Sequence, residues 1–106
     1  MISADPAENS TVIDYHNVKK AAIILRALNN NLRQLILQVI YESKEITVTE
    51  IYVKLRMEQA VASQHLAILR RAGLVVTKRD GKRIFYSINF VRLQKIDSFI
   101  KELLAK

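Results

Sequence analysis

The 106 residues include only two glycines, Gly73 and Gly81. Glycine is the residue that takes up positive φ without steric cost, so a chain this poor in it has few places to turn sharply. Both glycines fall where the patterning asks for such a turn. Gly73 follows a helical pattern over residues 58–72 and takes the place of a left-handed C-terminal cap. Gly81 follows Asp80, and Asp-Gly between two β-rich runs is a strong hairpin signal. The runs 74–79 and 82–88 read as its strands, the second rich in β-branched and aromatic residues.

Upstream, polar residues punctuate the chain instead. Asp14 is placed to cap a first helix in which Val18, Ala21, Ala22, Leu25 and Leu28 recur at helical spacing. The Asn29–Asn30–Asn31 run breaks it, because asparagine prefers caps and turns to helix interiors. Asn30 or Asn31 then caps a second helix with Leu32, Leu35, Ile36, Val39 and Ile40 on one face. Thr47 followed three residues later by Glu50 is a capping box. It opens a short third helix that ends near Leu55 and buries Ile51 and Leu55. The turn into the fourth helix lies near Arg56 and Met57 and has no glycine. Asn89 caps a last helix with Leu93, Ile96, Ile100, Leu103 and Leu104 on one stripe. Two short helices joined by a tight turn and followed by a basic hairpin predict a mainly α fold with a small β-hairpin, the winged helix-turn-helix. Residues 1–12 are expected to form a flexible tail and 13–106 a single domain.

The net charge of +7 is concentrated. Residues 54–83 hold eight bases (Lys54, Arg56, Arg70, Arg71, Lys78, Arg79, Lys82 and Arg83) against two acids, Glu58 and Asp80. A clustered excess of this kind is the electrostatic footprint of a polyanion binder. Other classes lack their residues. No cysteine is present, which excludes disulfides, thiolate metal sites and cysteine nucleophiles and fits a reducing cytoplasm. The two histidines, His16 and His65, lie far apart, and there is neither an HExxH pair nor a glycine-rich phosphate loop, so no enzyme is expected. The first residues are acidic and polar, unlike a signal peptide. The longest purely apolar run, residues 21–25, is far too short to span a bilayer, so no membrane partner is expected.

A wheel of residues 58–72 at about 100° per residue turns Ala62, Leu66 and Leu69 inward. Opposite them fall Ala60, Gln64, Ala67 and Arg71, with Ser63 beside them and no acid between Gln59 and Gly73. This face, over residues 59–72, has the character of a helix that reads the major groove. Gln64 can pair with adenine, Ser63 with several bases, and a small alanine permits close approach to a thymine methyl. Arg70 and Arg71 suit phosphates, and the helix N-terminus adds backbone donors. His65 falls on the flank, where a structural or phosphate-contact role is expected. Lys78, Arg79, Lys82 and Arg83 around the hairpin tip form a second basic surface, able to follow the backbone or enter the minor groove. The same residues would also serve as an edge hairpin guarded by charge.

These segments resemble a known family. QAVASQHLAILRRAGLV over residues 59–75 is similar to the ArsR/SmtB repressor pattern Q-S-x-V-S-x-H-L-x-x-L-R-x-A-G-L-V. The wing RDGKRIFY, residues 79–86, resembles R-x-G-R/K-x-x-Y-Y, and LRALNNNLR, residues 25–33, resembles L-x-A-L-A-D-P-T-R with Arg33 on the family's arginine. The resemblance covers about residues 18–100. It implies a homodimeric bacterial repressor of double-stranded DNA, with the first and last helices forming the dimer interface. Metal-sensing members often carry E-L-C-V-C-D/E-L on the third helix. Here residues 45–51 read EITVTEI, with Thr47 and Thr49 in the cysteine places. Neutral hydroxyls are poor ligands for soft or borderline metals. The last helix offers no histidine and only Asp97 and Glu102 as acids, so the zinc site of other members is also missing. No metal or other cofactor is therefore expected, and no effector is identified. The alternative is a winged-helix module that binds a protein or RNA through the same surface.

Overall fold

In the computed structural model, residues 12–106 are described. The expected tail over 1–12 therefore lies, but for its last residue, outside the described residues. Among the described residues, five helices and a small sheet run in the order α1 (Tyr15–Leu28), α2 (Asn31–Ser43), β1 (Ile46–Thr47), α3 (Val48–Leu55), α4 (Gln59–Arg71), β2 (Val75–Asp80), β3 (Arg83–Ile88) and α5 (Phe90–Leu104).

The polar punctuation acts as the sequence suggests. The Asp14 carboxylate accepts from the backbone N–H groups of His16 and Asn17 at 3.0 and 3.3 Å. Of the two candidate caps for α2, Asn30 is the one used, accepting from the Arg33 N–H at 2.9 Å. Thr47 and Glu50 form the complete capping box of α3. Asn89 caps α5 and also donates its side-chain amide to the Gly73 carbonyl at 2.9 Å, tying α5 to the end of α4.

The core lies where α2, α3, α4 and the base of the sheet meet. Ile36, Ile40, Ile51, Leu66, Leu69 and Leu74 are its fully buried large side chains. One expected face is corrected here. Leu35 of α2 points to solvent, whereas Arg33 is buried in line with Ile36 and Ile40. Residues three and seven positions apart share a helix face, so Arg33 takes the core-facing place that Leu35 was expected to hold.

The sheet has three antiparallel strands in the order β1-β3-β2. The sequence pattern anticipated only the hairpin. β1 has two residues, with Ile46 opposite Tyr86 and Thr47 opposite Phe85, too short to show a period of its own. The hairpin turn is also displaced by one residue. Asp80 still pairs with Arg83, so Gly81 and Lys82 form the two-residue loop. Gly81 has φ +64° at the first loop position, the place where a type II′ turn calls for glycine.

Gly73, at φ +75°, ends α4 as expected. A Cβ there would lie 2.8 Å from Nε of Arg92, which rests over this glycine from α5. Gly73→Ala therefore combines a left-handed alanine with displacement of the Arg92 side chain. It is expected to cost about 1–2 kcal/mol and lower the melting temperature by roughly 4–8 °C for each kcal/mol. A thermal melt followed by circular dichroism checks this, and an unchanged midpoint would contradict it.

The terminal helices remain largely uncovered. α1 buries only Ala27, and α5 buries no residue. Val18, Phe99, Leu103 and Leu104, from the apolar faces of these two helices, are about half exposed or more. Ala21, Ile24, Leu25, Val91, Ile96 and Phe99 supply the apolar lining of an open groove between the two helices. No described helix is long and apolar enough to cross a membrane.

Candidate nucleic-acid interface

α4 is held by one face and free on the other. Ala62, Leu66 and Leu69 are fully buried, while Gln59, Ala60, Ser63, Gln64, Ala67, Arg70 and Arg71 are exposed. The turn that presents α4 is made without glycine. Arg56 takes a left-handed conformation at φ 53°, and the Met57 N–H bonds back to the Tyr52 carbonyl at 3.0 Å. Glu58 occupies the N-cap position of α4, but its side chain makes no capping bond. The first-turn amides of the helix thus receive no carboxylate from their own cap. No acidic residue occurs within α4 itself.

The wing brings Lys78, Arg79, Lys82 and Arg83 to the surface, all exposed. Lys78, Arg79 and Lys82 make no ion pair among the described residues, whereas Arg83 is engaged within the protein. Its guanidinium lies 3.8 Å from Glu50 Oε1 and 5.3 Å from the centre of the Phe85 ring. Hydrogen bonds from the Thr47 hydroxyl and backbone N–H, followed by the charge of Arg83, hold the Glu50 carboxyl below its ordinary range. Both members of the Arg83–Glu50 pair are well exposed, so the pair contributes little to stability and leaves Arg83 able to change partners.

Ten of the eleven residues expected at the interface are exposed; His65 is half-buried. Its Nδ1 lies 3.2 Å from a terminal guanidinium nitrogen of Arg33. Burial first, and the Arg33 charge second, push the imidazole below its ordinary pKa. His65 thus sits half-buried on the flank of α4, with its polar contact inside the protein.

Sequence reasoning also passed over Val48 and Tyr86. With Ser63, Ala67, Arg70 and Arg71 they line a shallow concavity of about 460 Å³ between α4 and the wing. Tyr86 lies within the family-like wing motif, which was the signal available for it. Val48 had none: it is the first residue of α3, brought beside the wing by the pairing of the preceding β1 with β3. Among the described residues, no group of three or more histidine or carboxylate side chains converges as a metal site.

A helix pair whose second helix presents an acid-free outer face, followed by a basic hairpin, defines a winged helix-turn-helix regulator of transcription. The family model described as "Bacterial regulatory protein, arsR family" matches residues 30–77. The transcriptional activator HlyU of Vibrio cholerae is 33% identical over 82% of this chain and 80% of its own length. The transcriptional repressor PagR of Bacillus anthracis is 33% identical over 79% of this chain and 84% of its own. The crystal structure of NolR from Sinorhizobium fredii superposes with a TM-score of 0.71 at 31% identity, covering 98% of this chain and 97% of NolR. The chain belongs to the ArsR family of bacterial regulatory proteins. It is a regulator of transcription rather than an enzyme.

Proposed function

We propose that the protein is a homodimeric repressor that binds double-stranded DNA sequence-specifically, with α4 in the major groove and the wing on the flanking backbone. The observation that carries this reading is the outer face of α4. Seven exposed residues lie there, none of them acidic, short at the N-terminal end and cationic at the other. A merely solvated helix face would more often mix both signs of charge.

The residues divide by role. Ala60, Ser63 and Gln64 are placed for base edges, Gln64 for an adenine. Gln59 and the uncapped first-turn amides suit a phosphate. Arg70 and Arg71, with Lys78, Arg79, Lys82 and Arg83, suit phosphates on either side of the groove. His65 stands behind this surface and is the residue of the set whose geometry favours a contact inside the protein. The uncovered faces of α1 and α5 support dimerisation through these helices, which would place two copies of α4 on half-sites about one helical turn apart. Repression follows if the bound dimer blocks a promoter, in line with the repressor title that PagR carries.

The reading is tested with the duplex recovered by selection from a random-sequence pool. About six phosphate contacts per dimer would lower affinity by roughly 10³-fold between 50 and 200 mM salt. Single-stranded DNA and duplex RNA should compete poorly. Salt-insensitive binding, or equal competition by RNA, would remove this function in favour of an interaction module.

A further inference from the structure

Among the described residues, Arg33 is the one charged side chain that is buried. A buried guanidinium is tolerated only when its donors are satisfied. Its partners come from two different elements. Nε donates to the Ala27 carbonyl at 2.7 Å and one terminal nitrogen donates to the Arg26 carbonyl at 3.1 Å, both in the last turn of α1. The other terminal nitrogen faces Nδ1 of His65, on α4, at 3.2 Å. A guanidinium has no acceptor, so Nδ1 must be the bare acceptor and the ring proton must sit on Nε2. α1 buries one small side chain, Ala27, and packs Ile24 and Leu28 partly against the core. To this apolar packing the fork adds a directional polar link, through Arg33, between the end of α1 and the helix proposed to read DNA.

We propose that Arg33 is a positioning residue that locks α4 to the end of α1 through His65, and that a proton on His65 releases the lock. The inference rests on the DNA reading above and adds to it a control on the same surface. In outline, a helix assigned to dimerisation and a helix assigned to base reading share one buried cation. Once His65 carries a proton, both of its ring nitrogens are donors, and the ring faces Arg33 as a second cation.

The other groups around the ring do not offset this. α1 presents the Arg26 carbonyl to Arg33, while the Arg26 side chain is exposed. On α3, Glu50 is turned to Thr47 and Arg83, and Lys54 is exposed. One turn away along α4 stand Val61, Ala62, Ile68 and Leu69, all uncharged. Burial and Arg33 both favour the neutral ring.

The test compares the full-length wild type with His65→Asn, whose amide oxygen stands near the place of Nδ1 but does not titrate. Both retain His16 and every other titrating group. Anisotropy is measured with the selected duplex from pH 7.5 to 5.5. The wild type should lose roughly threefold to tenfold in affinity relative to His65→Asn, well within the limit of about a hundredfold per pH unit set by one linked proton in each protomer of the dimer. Parallel profiles would overturn the proposal. So would a wild type that gains relative to the variant on acidification, because that is the behaviour of a histidine bound to phosphate. Nitrogen NMR of the imidazole in free protein gives a second reading. The Nε2–H tautomer supports the lock, and an Nδ1–H tautomer overturns it. This reading stands even if no duplex is retained, an outcome that would sink the DNA assignment alone.

Discussion

Replacing Gln64 and Arg71 together with alanine should lower affinity for the selected duplex by at least about 100-fold while leaving the melting temperature unchanged. Both side chains are exposed, so neither change opens the core. A bidentate base contact contributes about 1–3 kcal/mol of discrimination. Removal of one phosphate contact adds to that loss, and each change occurs twice in a dimer. The single variants should behave differently. Gln64→Ala relaxes the preference at one base-pair position. Arg71→Ala weakens all sequences alike and reduces the steepness of the salt dependence by about one unit per protomer. Wild-type affinity in the double variant would show that α4 is not the reading helix.

The second large effect concerns the terminal helices. Phe99→Glu combined with Leu103→Glu puts two charges on the uncovered stripe of α5, where the wild-type side chains are 49% and 65% exposed. A free subunit would tolerate both changes. A dimer packed through α5 would not, since burying unpaired carboxylates is strongly unfavourable. The variant should sediment as a folded monomer. Its affinity for the two-half-site duplex should fall by roughly 10²–10⁴-fold, the usual gain from joining two binding modules. A variant that remains dimeric would move the interface away from α5.

The parts of the fold that the sequence displayed are those set by local chemistry. Asp14, Asn30, Thr47 and Asn89 each cap a helix through bonds spanning two or three residues, and Gly73 and Gly81 each meet a local demand for positive φ. What escaped was set at longer range or by residues outside the usual preferences. β1 exists because Ile46 and Thr47 find β3 some forty residues later. The tight turn before α4 is left-handed at an arginine, where side-chain chemistry gives no warning. Arg33 in the core is a case in which polar partners override hydrophobic patterning, since apolar spacing alone favours Leu35. For the candidate site, the exposed face of α4 was legible from its period. The partner of His65 was not, because Arg33 lies 32 residues away on α2.

Thr47 belongs to two structures at once. Its backbone is in β1, opposite Phe85 of the wing, and its side chain starts α3, the first helix of the helix-turn-helix. This has a practical consequence for building chimeras. A wing borrowed from a relative cannot be exchanged as a hairpin alone, because the strand that sets its tilt lies in a distant stretch of chain. A functional graft would have to carry residues 46–50 along with 75–88. A library that varies the wing while holding Thr47 fixed should therefore sample contacts to DNA without sampling new wing angles.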